Sequence, residues 1–152
     1  MLAYGQSKTA NVLFAVELDR LWADEGIRGY AVHPGIVVST SLSRSVPAAD
    51  MRAMNLAMEL IDESGRPIID PDREKKTTQQ GASTSVFAAT SPLLAEIGGV
   101  YLKDNDVSPL DENPEPITFG TEPIVMSTVV PHALDPQSAE RLWKLSEQLL
   151  KA

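Results

Sequence analysis

Residues 4–8, Tyr4-Gly5-Gln6-Ser7-Lys8, stand near the start of a helical pattern that covers residues 3–24. Positions four apart on a helix lie one above the other, so the Tyr4 hydroxyl and the Lys8 ammonium share a face. A tyrosine, with a reference pKa of about 10, becomes a usable acid/base near neutrality only when a cation stabilises its phenolate. Lys8 has the right charge and spacing for that task. The same spacing also occurs on ordinary solvated helix edges, so the segments around the pair decide between a proton-transfer dyad and a surface pair.

Ala10, Leu13, Phe14, Leu18 and Leu21 give the helix its apolar stripe, while Glu17, Asp19, Arg20 and Asp24 suit water. Gly26 is placed to close it. A narrower stripe holds Tyr4, Lys8, Asn11 and Ala15, with Asn11 read as solvated. Residues 28–32 then read as a short buried strand that ends in His33-Pro34-Gly35. Ligands of open α/β sheets bind beyond the carboxyl ends of strands, where a Pro-Gly turn can bring bare backbone against a flat molecule. Taken in isolation, Pro-Gly is an ordinary turn and His33 reads as structural. Ser39 and Thr40 follow, with hydroxyls suited to a phosphate, an amide or their own backbone.

Residues 47–61 read as a helix with a broad apolar surface of Met51, Met54, Leu56, Met58, Leu60 and Ile61, suited to an adaptable lid or to core packing. The charged stretch 62–76, with Gly65, Pro67 and Pro71, reads as a loop. Thr77 or Thr78 caps a helix that runs to Thr90 and carries many small residues, Gly81 among them. Residues 98–102 read as a second buried strand, and 104–131 as an irregular, acidic, proline-rich excursion. Asp135-Pro136 opens a last helix with Ala139, Leu142, Trp143, Ser146, Leu149 and Leu150 as its inner stripe. Glu140–Lys144 and Glu147–Lys151 are its outer ion pairs.

The 152 residues suit one soluble domain. A net charge of -8 disfavours nonspecific nucleic-acid or anionic-membrane binding. The absence of cysteine removes disulfides, thiolate metal sites and a cysteine nucleophile. His33 and His132 lack zinc-ligand spacing, so no metal is expected. No apolar run reaches the ~20 residues of a membrane span, and no secretory signal is recognisable. A cytoplasmic protein is the default expectation.

The ordered runs YGQSKTANVLFAVEL, AVHPG, KTTQQGASTSVFAATSP and GGVYL resemble the carboxyl-terminal half of a short-chain dehydrogenase/reductase, of the retinol-dehydrogenase-like branch. The ending ALDPQSAERLWKLSEQLL resembles the last helix of such proteins. The resemblance implies an α/β fold, the carboxyl-terminal part of a Rossmann-type doubly wound parallel sheet. It implies that Tyr4 is the catalytic acid/base and that Lys8 lowers its pKa and bonds the nicotinamide ribose of NAD or NADP. It further implies that Pro34, Gly35, Ile36 and Val37 hold the nicotinamide ring, with Ser39 or Thr40 on the carboxamide or pyrophosphate.

The chain shows neither the Gly-rich phosphate turn of that family nor the serine that precedes the tyrosine. We therefore expect a fragment without its amino-terminal dinucleotide-binding half, inactive in isolation. Residues 1–103 would be the catalytic half, 104–134 the acidic excursion, and 135–152 a helix packed on the same domain. The expected substrate is a small apolar carbonyl or alcohol, covered by residues 45–76. The alternative is a non-catalytic remnant that associates with another subunit, or with its own copy, through the Tyr4–Lys8 helix.

Overall fold

A computed structural model describes residues 2–38, 40, 46–113 and 128–151. Ser39 and residues 114–127 of the acidic excursion lie outside the described residues.

Helix α1 covers Leu2–Trp22 and continues into a 3-10 turn, Ala23–Glu25. Gly26, at φ 80°, closes the turn, and the Ile27 N–H donates to the Trp22 carbonyl at 3.1 Å, so the chain reverses. Strand β1, Tyr30–His33, then runs back along α1. A Cβ on Gly29 would stand 2.3 Å from the Ala15 carbonyl oxygen, so only glycine allows strand and helix to meet this closely. Asp19 fastens the crossing by accepting from the Gly29 N–H at 3.1 Å and pairing with Arg28 at 3.2 Å.

Between β1 and the next strand lie α2 (Ala48–Ala57) and α3 (Thr78–Thr90). Strand β2, Val100–Lys103, pairs parallel with β1 in the register Tyr30↔Val100 to His33↔Lys103. A parallel neighbour requires a crossover, and α3, which packs against both strands, supplies it. Strand β3, Asp106–Val107, returns antiparallel on β2. Asp104 and Asn105 between them have φ of 53° and 61°, the two left-handed residues that a tight hairpin demands. The order β1-β2-β3 leaves β1 at an edge of this mixed sheet among the described residues.

Helix α4, Pro136–Leu150, packs on α1, with Trp143 stacked on Phe14 at 5.1 Å and edge-on to Trp22 at 5.4 Å. Asp135 caps it by accepting from the Ser138 N–H at 2.8 Å. The core joins Val12 and Ala15 of α1, Ala31 of β1, and Val129 and Ala133. Leu102 of β2 is fully buried, a contribution of about 2–3 kcal/mol that anchors the middle strand.

Several expectations change. Glu17 does not face water: it is 1% exposed, and its carboxylate takes two bonds from Arg20, at 2.6 and 2.8 Å, in the fork geometry of a guanidinium. Phe14 and Leu21 are partly exposed, since α4 covers only one side of the α1 stripe. The inner stripe of α4 ends early, for Leu149 is largely exposed and Leu150 is 88% exposed. Helix α2 buries none of its residues; Leu60 and Ile61 are buried beyond its end, where the chain has left the helix. The stretch 62–76 is not wholly a surface loop, because Glu74, Lys75 and Lys76 are buried. No helix among the described residues is long and apolar enough to cross a membrane.

Candidate functional site

The reversal after α1 sets the direction of everything that follows. Gly29 lies against Ala15, and Ala31 shares a cluster with Val12 and Ala15, so β1 advances towards the amino-terminal end of α1. Four residues of helix from Val12 to Lys8 cover about 6 Å, and three of strand from Ala31 to Pro34 about 10 Å. The carboxyl end of β1 and the Tyr4–Lys8 turn of α1 therefore stand at the same end of the layer.

Tyr4 is 61% exposed, and the Lys8 ammonium lies 5.3 Å from the centroid of its ring. The two side chains share a face, as their spacing requires. Ser7 bonds back to the Tyr4 carbonyl at 2.7 Å, tightening the first turn.

At the end of β1 the chain turns at Gly35, whose φ of 75° is left-handed. A Cβ there would lie 2.7 Å from Cδ of Lys76, so glycine is needed for space as well as for conformation. Residues 74–76 hold the turn from behind. The Ile36 N–H donates to the Glu74 carbonyl at 2.8 Å, and the Lys76 N–H donates to the Ile36 carbonyl at 3.0 Å. Both backbone groups of Ile36 are thus used in fixing the turn, and Pro34, Gly35 and Val37 are its members that line open space.

That space is a cavity of about 270 Å³ lined by Pro34, Gly35, Val37, Thr40, Thr78 and Gly81. Its far wall is the first turn of α3. Thr77 caps this helix in a reciprocal box with Gln80, its hydroxyl accepting from the Gln80 N–H at 3.2 Å and its N–H donating to Gln80 Oε1 at 2.9 Å. Thr78 lines the cavity, its hydroxyl donating to Gln79 Oε1 at 3.2 Å. Gly81 is buried, and a Cβ on it would meet Cγ2 of Val37 at 2.6 Å and the Pro34 carbonyl at 3.2 Å. Helix and turn close on each other there because Gly81 has no side chain. The Thr40 hydroxyl donates to the Val37 carbonyl at 3.3 Å, the local bond that short hydroxyl side chains favour in loops.

Behind the turn lies a charged cluster that sequence reasoning missed. Glu74 and Lys103 form an ion pair with both side chains buried, and Lys76 pairs with Asp104. Burial would push Asp104 upward, but the Lys76 hydrogen bond and the charges of Lys76, Lys103 and His33 outweigh it and hold its carboxyl below the usual range. His33 sits beside this cluster, its ring 6.2 Å from that of Tyr101. Burial draws His33 below its ordinary value; Glu74 opposes the shift, and Lys103 and Lys76 add to it. Tyr101 is raised by burial and then by Glu74. A run of charged residues normally signals a solvated loop, so Glu74, Lys76 and Lys103 carried no sequence signal of burial. Among the described residues, no group of three His, Asp or Glu is arranged to hold a metal ion.

Of the residues singled out from sequence, Pro34, Gly35, Val37 and Thr40 are brought together on one cavity, Ile36 supports it, and Tyr4 and Lys8 stand at the same end of the layer without lining it. Thr78 and Gly81, read only as a helix cap and a small residue, join the lining.

The chain is 40% identical over 151 residues to a probable oxidoreductase of Streptomyces antibioticus, a match that takes in 99% of this chain and 45% of that protein. It is 33% identical over 151 residues to the WW domain-containing oxidoreductase of Danio rerio, across 99% of this chain and 28% of that one. It is also 32% identical over 149 residues to the short-chain dehydrogenase/reductase prx1 of Penicillium roqueforti, across 97% of this chain and 38% of that one. The chain thus spans less than half the length of these curated relatives. No family model matches it. Relatives with oxidoreductase and short-chain dehydrogenase/reductase names, matched along almost the whole chain, support a redox function in general.

Proposed function

We propose that this chain is the catalytic portion of a cytoplasmic, NAD- or NADP-dependent short-chain dehydrogenase/reductase, with motifs of the retinol-dehydrogenase-like branch. In this reading the parallel pair β1–β2 belongs to a Rossmann-type doubly wound sheet, and β3 adds an antiparallel strand to it. The observation that carries the reading is the placement of the Pro34–Gly35 cavity at the end of the layer where Tyr4 and Lys8 share a helix face.

The lining fits one part of such a cofactor. At about 270 Å³ the cavity falls just below the ~300–1,000 Å³ of sites for whole ligands, so it suits a flat ring and not an entire dinucleotide. Pro34, Gly35 and Val37 offer backbone and apolar surface to the ring, and Gly81 keeps the far wall close. Thr40 and Thr78 supply hydroxyls for an amide. The cofactor, when bound, supplies or accepts the hydride.

Tyr4 gives its phenolic proton to the oxygen of a substrate carbonyl during reduction and takes it back from an alcohol during oxidation. Lys8 stabilises the phenolate by its charge and bonds the ribose beside the ring. Two exposed methionines, Met54 of α2 and Met58 just past its end, provide a flexible apolar surface for a small carbonyl or alcohol substrate.

The test joins this chain to the remainder of the Streptomyces antibioticus relative and measures turnover of simple ketones with reduced cofactor. Tyr4→Phe is expected to lower kcat by about 10²–10⁴-fold, the usual worth of a general acid. A Tyr4→Phe chimera as fast as its parent would remove Tyr4 from the chemistry.

A further inference from the structure

His33 occupies the last position of β1, one residue before the turn, and its Nδ1 accepts a hydrogen bond from the Gly35 N–H at 3.2 Å. Gly35 has no side chain to restrict it, so its left-handed conformation is held by bonds made from outside. Those bonds are the one to His33 and the pair that Ile36 makes with residues 74 and 76. We propose that His33 is a positioning residue for the Pro34–Gly35 turn, and that it holds the turn only as a neutral imidazole with its proton on Nε2. Its bearing on a cofactor rests on the function proposed above; its hold on the turn does not.

The chemistry is specific to one nitrogen. A neutral imidazole has one acceptor nitrogen, whereas an imidazolium has none. Protonation of His33 therefore sets an N–H against the Gly35 N–H and breaks the bond. Burial outweighs the relief that the groups facing His33 give the new charge, for Glu74 and Asp104 favour it while Lys103 and Lys76 oppose it. Glu74 is already paired with Lys103, and Asp104 with Lys76. Tyr101, the remaining titratable neighbour, faces the ring as a neutral phenol, its pKa raised by burial. Consistently, burial lowers the His33 pKa from its ordinary value of 6.5. The bond to Gly35 is therefore kept at neutral pH and above, and is lost as the pH falls through the lowered His33 pKa. With it goes the shape of the wall formed by Pro34, Gly35 and Val37.

The experiment follows Gly35 by ¹⁵N NMR in the full chain without ligand, between about pH 7.5 and about pH 5, the range in which histidine titrates. The Gly35 amide shift should follow the His33 titration, with a midpoint below 6.5. His33→Asn places an oxygen acceptor near Nδ1 but gains no proton, so Gly35 should remain protected from exchange and insensitive to pH. His33→Leu removes the acceptor, so Gly35 exchange should rise about tenfold over the natural chain above the His33 midpoint, and the difference should close below it. A Gly35 shift that stays flat while His33 titrates, or that moves equally in His33→Asn, overturns the proposal. Should His33→Leu not fold, His33→Asn carries the test alone. Titrating the same sample with nicotinamide mononucleotide separates the two readings: a Gly35 response without binding upholds the positioning role and contradicts the cofactor.

Discussion

The Glu74 carboxylate and the Lys103 ammonium form an ion pair in which the side chains are 4% and 5% exposed. Lys103 also lies 3.7 Å from Asp104, while one oxygen of Glu74, Oε2, is buried without a hydrogen-bond partner among the described residues. The pair ties the end of β2 to the segment that holds the Pro34–Gly35 turn. Lys103→Met should cost about 3–5 kcal/mol, because it leaves a buried carboxylate uncompensated. The double variant Glu74→Met, Lys103→Met should be clearly more stable than Lys103→Met alone, since no lone charge remains. Urea unfolding of the two variants checks the order; a double variant less stable than the single one contradicts it.

Two glycines separate fold from site. In Gly29→Ala the new Cβ would meet the Ala15 backbone oxygen at 2.3 Å, and neither α1 nor β1 can yield without parting. Thermal unfolding should show that variant lowered by more than 3 kcal/mol, above the ~1–3 kcal/mol usual for overpacking. In Gly81→Ala the clash is with a Val37 methyl at 2.6 Å, so the cost should lie within ~1–3 kcal/mol and the fold should persist. Binding of a nicotinamide ring should then be weakened in a protein that is still folded.

Much of the layer arrangement was readable beforehand. Gly26, Asp135-Pro136 and a threonine cap at Thr77 or Thr78 mark ends of three helices by chemistry that is local to the chain, and local chemistry survives in sequence. The β2–β3 hairpin was also written there, as Asp104-Asn105, a pair tolerant of left-handed φ, but it was absorbed into the acidic excursion. Glu17 and Glu74 were not readable. Apolar periodicity assigns charged residues to water, and only the third dimension shows that Arg20 or Lys103 meets them. At the site, Pro34 and Gly35 were visible as a turn after a strand, whereas Thr78 and Gly81 needed the position of α3.

Acid should weaken the protein in two stages. His33 has a lowered pKa, so its contribution is complete above about 6.5 and is lost as the pH falls below that value towards the folded one. Asp62 is held down to about 2, first by the Ser64 hydroxyl, then by the Arg66 N–H and side chain, so its contribution is present above 3.8 and lost between 3.8 and about 2. Asp135, lowered by its bonds to Ser138, acts in the same sense. The melting temperature against pH should therefore fall in two steps. His33→Asn should flatten the upper step only, and Asp62→Asn should reduce the lower step only.

The most direct measurement is a titration of the ¹⁵N-labelled chain with reduced nicotinamide mononucleotide, followed amide by amide. A cavity that encloses little more than a ring should bind it with a Kd of about 1 mM, or roughly 4 kcal/mol. The account predicts saturable shifts at Gly35, Val37, Thr40, Thr78 and Gly81, with Lys8 the only responding residue on α1. Shifts confined to the α1–α4 groove around Trp143, or no saturable shift at the Pro34–Gly35 turn, would contradict it.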